Sequence, residues 1–342
     1  MFALLAAALY AVNIPISKVL LQYVEPVFMA SFLYFGAGIG IGIMFLITRK
    51  KEINKTNHIS RDELPYVLGM IILDIVAPIC LMFGLRYGTS SNASLLNNFE
   101  IVATSIIALV LFKEVISRKL WIAISFITLS SIILSFQDIS SLQFSFGSLF
   151  VIIACVCWGF ENNCTRTLAN KSTFQIVILK GIFSGVGSGI VALIIGESMP
   201  QLIYIVATMV LGFVAYGLSI FLYIKAQKDL GAAKTSAYYA VSPFLGVLFS
   251  VVLLRENIGI TYIIALILMV IGTIFIIKDT IAIQHVHDHT HTHTHLHFHN
   301  RIEHIHEHTY IHSHNHIHED SNGEKHKHTH KYDNFGAHSH SH

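Results

Sequence analysis

Four ionisable residues stand in stretches otherwise fit for lipid: Asp74 in IILDIVAP, Glu100 in NNFEIVAT, Glu161 in WGFENNCT and Lys180 in VILKGIF. A charge at the centre of a membrane helix costs about 2.5–3.5 kcal/mol on insertion scales, so each needs a reason to be there. Two reasons are open: pairing among themselves, or facing a water-filled path. Carboxyl groups in such a place are suited to taking up and releasing a proton. Amides and phenols gather beside them, at Asn13, at Asn97 and Asn98, at Asn162, and at Tyr238 and Tyr239. No nucleophile–base constellation accompanies them, so no enzyme is expected.

The elements that position these groups are long apolar runs. The 342-residue chain is 54% hydrophobic and only 12% charged, with a mean hydropathy of +0.62. Soluble domains carry about 25% charged residues, so lipid is the expected solvent. The formal net charge of +2 marks no nucleic-acid partner. Reading for runs of about 20 apolar residues gives ten spans: 2–22, 27–48, 64–84, 91–111, 119–136, 146–165, 175–195, 202–224, 235–254 and 260–277. All should be helices, because lone strands would leave backbone groups unpaired in lipid. The first run opens at Phe2 without a basic flank and is expected to be a full helix rather than a cleaved signal. Cys80, Cys155, Cys157 and Cys164 lie inside these runs and read as buried, reduced thiols.

Lys and Arg collect in alternate loops: Arg49 to Arg61, Lys113 to Lys119, Arg166 with Lys171, and Lys225 to Lys234. The positive-inside rule places these loops and both termini in the cytoplasm of a cell (inner or plasma) membrane. Arg86 and Arg255 dissent.

The sequence also repeats itself. Ala93–Glu114, ASLLNNFEIVATSIIALVLFKE, matches Thr235–Glu256, TSAYYAVSPFLGVLFSVVLLRE, 142 residues later. Gly36, Gly38, Gly40 and Gly42 on the second run are answered by Gly181, Gly185, Gly187 and Gly189 on the seventh, a pattern for close helix packing. Five helices per copy is odd, so the fold class is all-α membrane protein, ten transmembrane helices as two inverted five-helix repeats. The repeats span 1–136 and 146–277. Inverted repeats commonly put a substrate site near the midplane where the halves meet. The polar groups of the first, fourth, sixth and ninth helices are therefore expected to line one path, with Asp74 and Lys180 beside it. Lys113–Glu114 and Arg255–Glu256 end equivalent helices on opposite faces, making Glu114 and Glu256 candidate gate or hinge residues.

These features resemble the EamA-type transporters of the drug/metabolite transporter superfamily. The match rests on Gly84-Leu85-Arg86-Tyr87, Phe99-Glu100 and Phe112-Lys113-Glu114 in the first half. In the second it rests on Trp158-Gly159, Leu230-Gly231-Ala232-Ala233, Ser242-Pro243, Leu254-Arg255-Glu256 and Gly272. It covers Met1 to Lys278. Departures include Tyr10-Ala11 where the family often has Trp-Gly, and a split Glu-Pro pair, with Glu100 lacking Pro and Pro243 lacking Glu. The resemblance implies a secondary carrier that moves small metabolites or amino acids by alternating access, commonly outward. One of Asp74, Glu100 and Glu161 is then expected to couple transport to protons.

After Lys278 the composition flips. His285, His287, His289, His291, His293, His295, His297 and His299 alternate with other residues, and more histidines follow to His342. So few apolar residues predict a disordered tail over 279–342. Imidazole suits zinc, nickel and copper, so the tail should bind such divalent metals, though no cofactor is required for transport. The rival reading is a divalent-metal transporter with the tail as collector or sensor. None of the ten runs contains histidine, which argues against it. The partners expected are the lipid bilayer, a small-molecule substrate and divalent metal ions, with a homodimer as a possible assembly.

Overall fold

The computed structural model describes residues 2–48, 60–113, 116–138, 143–168, 172–230, 235, 238–299 and 302–317. The chain opens with α1 (Phe2–Ala11) and α2 (Asn13–Leu20), parted at Val12. Pro15 explains the break: it lacks an N–H, and its ring collides with the carbonyl four residues back, at Ala11. Next come α3 (Pro26–Thr48) and α4 (Leu64–Tyr87). Then α5 (Ser90–Leu96) and α6 (Phe99–Phe112) are interrupted at Asn97–Asn98. There the Asn98 amide donates to the Leu95 carbonyl at 3.2 Å, a local bond of the kind that competes with helix. The first half closes with α7 (Arg118–Leu134).

A short antiparallel pair, β1 (Phe136–Asp138) and β2 (Gln143–Phe144), leads into α8 (Phe146–Thr167). Two π-helical turns follow. Lys180–Ser184 joins α9 (Thr173–Leu179) to α10 (Gly185–Ile195), and Phe213–Leu218 joins α11 (Leu202–Gly212) to α12 (Ser219–Leu230). Such turns are uncommon and gather at functional sites. The helical part ends with α13 (Ser242–Leu254) and α14 (Ile260–Ile283).

Eight of the described helices are long and apolar enough to cross a bilayer: Phe2–Leu20, Pro26–Ile47, Arg61–Tyr87, Ser90–Leu111, Phe146–Thr167, Phe174–Ile195, Leu202–Tyr223 and Ile260–Asp279. Their outer sides are large bare apolar side chains, among them Ile47, Ile194, Leu202 and Ile260, as a lipid-facing surface requires. The other two expected spans hold shorter helices, the 17 residues of α7 and the 13 of α13. Both are tied to neighbouring helices by side-chain hydrogen bonds. The Ser130 hydroxyl of α7 donates to the Ala265 carbonyl of α14 at 2.7 Å, and that of Ser242 at the start of α13 to Ala7 of α1 at 2.9 Å.

The matched glycines bring two segments into backbone contact. A Cβ on Gly181 would lie 2.4 Å from the Gly38 Cα, and one on Gly36 would lie 1.9 Å from the Met209 carbonyl oxygen. A side chain at either place must push helices apart, which costs about 1–3 kcal/mol or more. Gly42, in the same row, meets nothing within 4 Å. Gly181→Val is therefore expected to melt well below the parent protein in detergent. Gly42→Ala should stay within about 0.5 kcal/mol of it.

After α14 the described backbone forms two antiparallel strands, β3 (Gln284–His299) and β4 (Ile302–Ile317), and the rest of the tail expected to be disordered lies outside the described residues. The strict alternation of histidine with Thr, Val, Leu and Phe has the period of a strand, a signal that composition alone hides. The register sets histidine opposite histidine at 285/316, 287/314, 289/312, 293/308, 295/306 and 297/304.

Candidate functional site

Asp74, Glu161 and Lys180 come from α4, α8 and the first π-helical turn, and they meet in the middle of the bundle. The Lys180 ammonium lies 2.8 Å from Glu161 Oε1 and 3.2 Å from Asp74 Oδ2. The Tyr34 hydroxyl on α3 donates to Asp74 Oδ1 at 2.9 Å, and the Thr165 hydroxyl donates to Glu161 Oε1. Both carboxylates are almost fully buried. The π-helical turn matters here because it re-aims the backbone where Lys180 must reach two helices at once.

Glu100, in the first turn of α6, stands across from this triad. The Asn162 amide donates to its Oε1 at 2.7 Å and reaches Thr104 Oγ1 at 3.3 Å. Among the described residues no lysine or arginine pairs with Glu100. All five groups line one cavity of about 160 Å³, walled by Tyr10, Tyr34, Trp158, Tyr216 and the apolar Ala37, Val177 and Ile220. Both π-helical turns contribute to its wall, through Lys180 with Gly181 and through Tyr216.

The other amides stand one layer behind. The Asn13 amide donates to the Tyr216 hydroxyl at 3.1 Å, and Ser17 donates to Asn13 Oδ1. The Asn97 amide donates to the Tyr10 hydroxyl at 3.4 Å. These residues hold cavity tyrosines by their hydroxyls, and Asn98 holds the helix break. Tyr239 packs its ring 5.9 Å from Tyr10 and pairs its hydroxyl with Ser219 at 3.3 Å. Tyr238 is half-exposed and outside the cavity lining. Sequence reading missed Tyr10, Tyr34, Trp158 and Tyr216, because an aromatic residue in an apolar helix looks the same whether it faces lipid, core or cavity.

At one end of the bundle, charged side chains link the helix ends. Arg86 pairs with Glu25. Lys18 donates to the carbonyls of Leu85 and Gly88 at the end of α4, the latter at 2.8 Å. Glu197 accepts the N–H groups of Val27 and Phe28 at 3.0 and 2.8 Å. Glu256 accepts those of Ser90 and Ser91, each at 2.7 Å. Helix starts carry free N–H groups and partial positive charge, so a carboxylate there is well placed. Glu114, its sequence counterpart, lies outside the described residues. Glu256→Ala removes two charge-assisted bonds at a half-buried position. A loss of about 1–3 kcal/mol is expected, read as a lower melting temperature that Glu256→Asp partly restores.

Lys113 and Arg255 each end their helix in the left-handed conformation, with φ of 55° and 54°. They are 142 residues apart, the offset already seen in the sequence. The model of the EamA-like transporter family matches residues 1–136 and 145–278. The chain belongs to this family. An uncharacterized transporter of Methanothermobacter thermautotrophicus is 24% identical over 288 residues, covering 78% of this chain and 82% of that protein. The uncharacterized transporter YyaM of Bacillus subtilis is 25% identical over 224 residues, covering 62% and 73%. A solved crystal structure superposes with a TM-score of 0.58 over 80% of this chain and 95% of that one. At 16% identity that likeness shows the fold alone. As members of this family do, the chain forms a multi-pass membrane protein.

Proposed function

We propose that the protein is a secondary active transporter that moves a small metabolite or amino acid by alternating access, with protons as the coupling ion. The observation that carries this is the central cavity, where Asp74 and Glu161 share Lys180 and face a carboxylate, Glu100, that pairs with no lysine or arginine among the described residues. Lys180 balances one charge between two acids and leaves Glu100 as the group whose proton occupancy is free to change. Asp74, Glu161, Asn162 and Lys180 would contact substrate or hold its path. Asn13 and Asn97 would position Tyr216 and Tyr10.

The architecture proposed is ten membrane helices in two inverted five-helix repeats, 1–136 and 146–277. The equal offsets of the sequence echo and of the two left-handed helix ends support it. In that arrangement α7 and α13 are the fifth and ninth spans. The Lys and Arg distribution supports both termini lying on the cytoplasmic side of a cell membrane. The end tied by Glu25, Arg86, Glu197 and Glu256 then faces outward and is closed, and Glu256 acts as a gate that releases Ser90 and Ser91 when the outside opens.

The histidine tail is proposed to bind divalent metal as a buffer or regulator. Its histidine-opposite-histidine register also supports the alternative, a divalent-metal transporter whose tail collects cargo. Deleting everything after Lys278 separates the two. Expression of the shortened chain, with metabolite profiling of the medium, is expected to show the same exported compound as the full chain. A change in metal resistance with no exported metabolite in either case would favour the metal reading.

A further inference from the structure

Taking the cavity to be the substrate site, we infer that its substrate is an organic cation: one ammonium group on a body with a flat apolar ring. The charge balance around the cavity is unequal. Among the described residues lining it, three carboxylates, Asp74, Glu100 and Glu161, face a single ammonium, and Lys180 is already within 2.8 Å of Glu161 and 3.2 Å of Asp74. Asp74 Oδ2 is buried without a hydrogen bond and has that ammonium as its counter-charge. An anion would enter against this excess, and could take Lys180 only by stranding two buried acids. A zwitterion would bring its carboxylate into the same field. A cation completes the site.

The wall agrees with this. Tyr10, Tyr34, Trp158 and Tyr216 surround the acids, with Tyr216 ring centroids 5.8 Å from Tyr10 and 5.7 Å from Tyr34. The hydroxyls of Tyr10 and Tyr216 are held by Asn97 and Asn13, and that of Tyr34 by Asp74. Fixed this way, the phenols offer rings that attract a cation by its charge and a flat ring by its area. Glu100 supplies the point charge. Its one strong hydrogen bond is from Asn162 at 2.7 Å, so the rest of the carboxylate is open to an ammonium. A cavity of about 160 Å³ suits a single-ring amine rather than a peptide or a nucleotide.

The test uses four probes of one shape and different charge: tyramine, tyrosine, 4-hydroxyphenylpropionate and 4-ethylphenol. Each is titrated by calorimetry into the full chain in lipid nanodiscs, and tyramine is repeated with Glu100→Gln. Tyramine is expected to bind at least about tenfold tighter than the other three, and Glu100→Gln should weaken it about tenfold, the size of one charge-assisted contact. Equal or tighter binding of the zwitterion, the anion or the neutral phenol overturns the cation assignment and leaves the cavity as a substrate site. Unchanged tyramine binding by a folded Glu100→Gln protein also overturns it. Binding of none of the four overturns both readings together. The wild-type series decides even if the variant fails to fold.

Discussion

Lys180→Met is expected to be the most damaging single substitution in the bundle. It removes the one ammonium that Asp74 and Glu161 share and leaves two buried acids side by side. Breaking a buried charge pair from one side costs about 3–5 kcal/mol, a large part of a typical protein's stability. The variant should lose most of its monodisperse peak on size exclusion and melt far below the parent. The cause is checked by neutralising the partners too. In Asp74→Asn/Glu161→Gln/Lys180→Met no charge is stranded, and most of the stability should return, because uncharged replacements of buried pairs are often nearly neutral. Such non-additivity is expected for residues in direct contact. Transport should not return with it. If the triple variant melts as low as the single one, the lysine stabilises the fold through its alkyl stem and not through the two acids.

Much of this site was legible in the sequence, and the reason is energetic. Asp74, Glu161 and Lys180 stand out because a charge in lipid is costly wherever it points, so their mere presence in apolar runs announces a shared interior. Their pairing was not legible. It depends on the π-helical turn at Lys180, which no local pattern of residues signals. Asn13 and Asn97 read as path residues but stand behind tyrosines, since an amide that lines a cavity and one that supports it have the same spacing. The eight long spans follow from length and hydropathy. α7 stops at Leu134 because Phe136 already belongs to β1, and the ninth span is broken at Ala240–Val241, with Tyr238 and Tyr239 helical ahead of the break and α13 after it. The glycine rows predicted close packing, and Gly38 against Gly181 shows it, while Gly42 only shares the spacing. In the tail, the two-residue period of the histidines matches the strand pairing of its described part.

Glu100→Gln carries the second large effect. The variant keeps the hydrogen-bonding shape at Asn162 and Thr104 but cannot exchange a proton, so it should fold like the parent and lose coupling, along with whatever affinity the Glu100 charge supplies to a substrate. In proteoliposomes supplied with the metabolite that expression adds to the medium, a pH difference of one unit can drive about tenfold accumulation for one coupled proton. The wild-type chain is expected to approach that ratio and to collapse it when the pH gradient is dissipated. Glu100→Gln is expected to equilibrate the compound to a ratio near one, with or without the gradient. Accumulation by Glu100→Gln equal to wild type under the same pH difference would contradict the account.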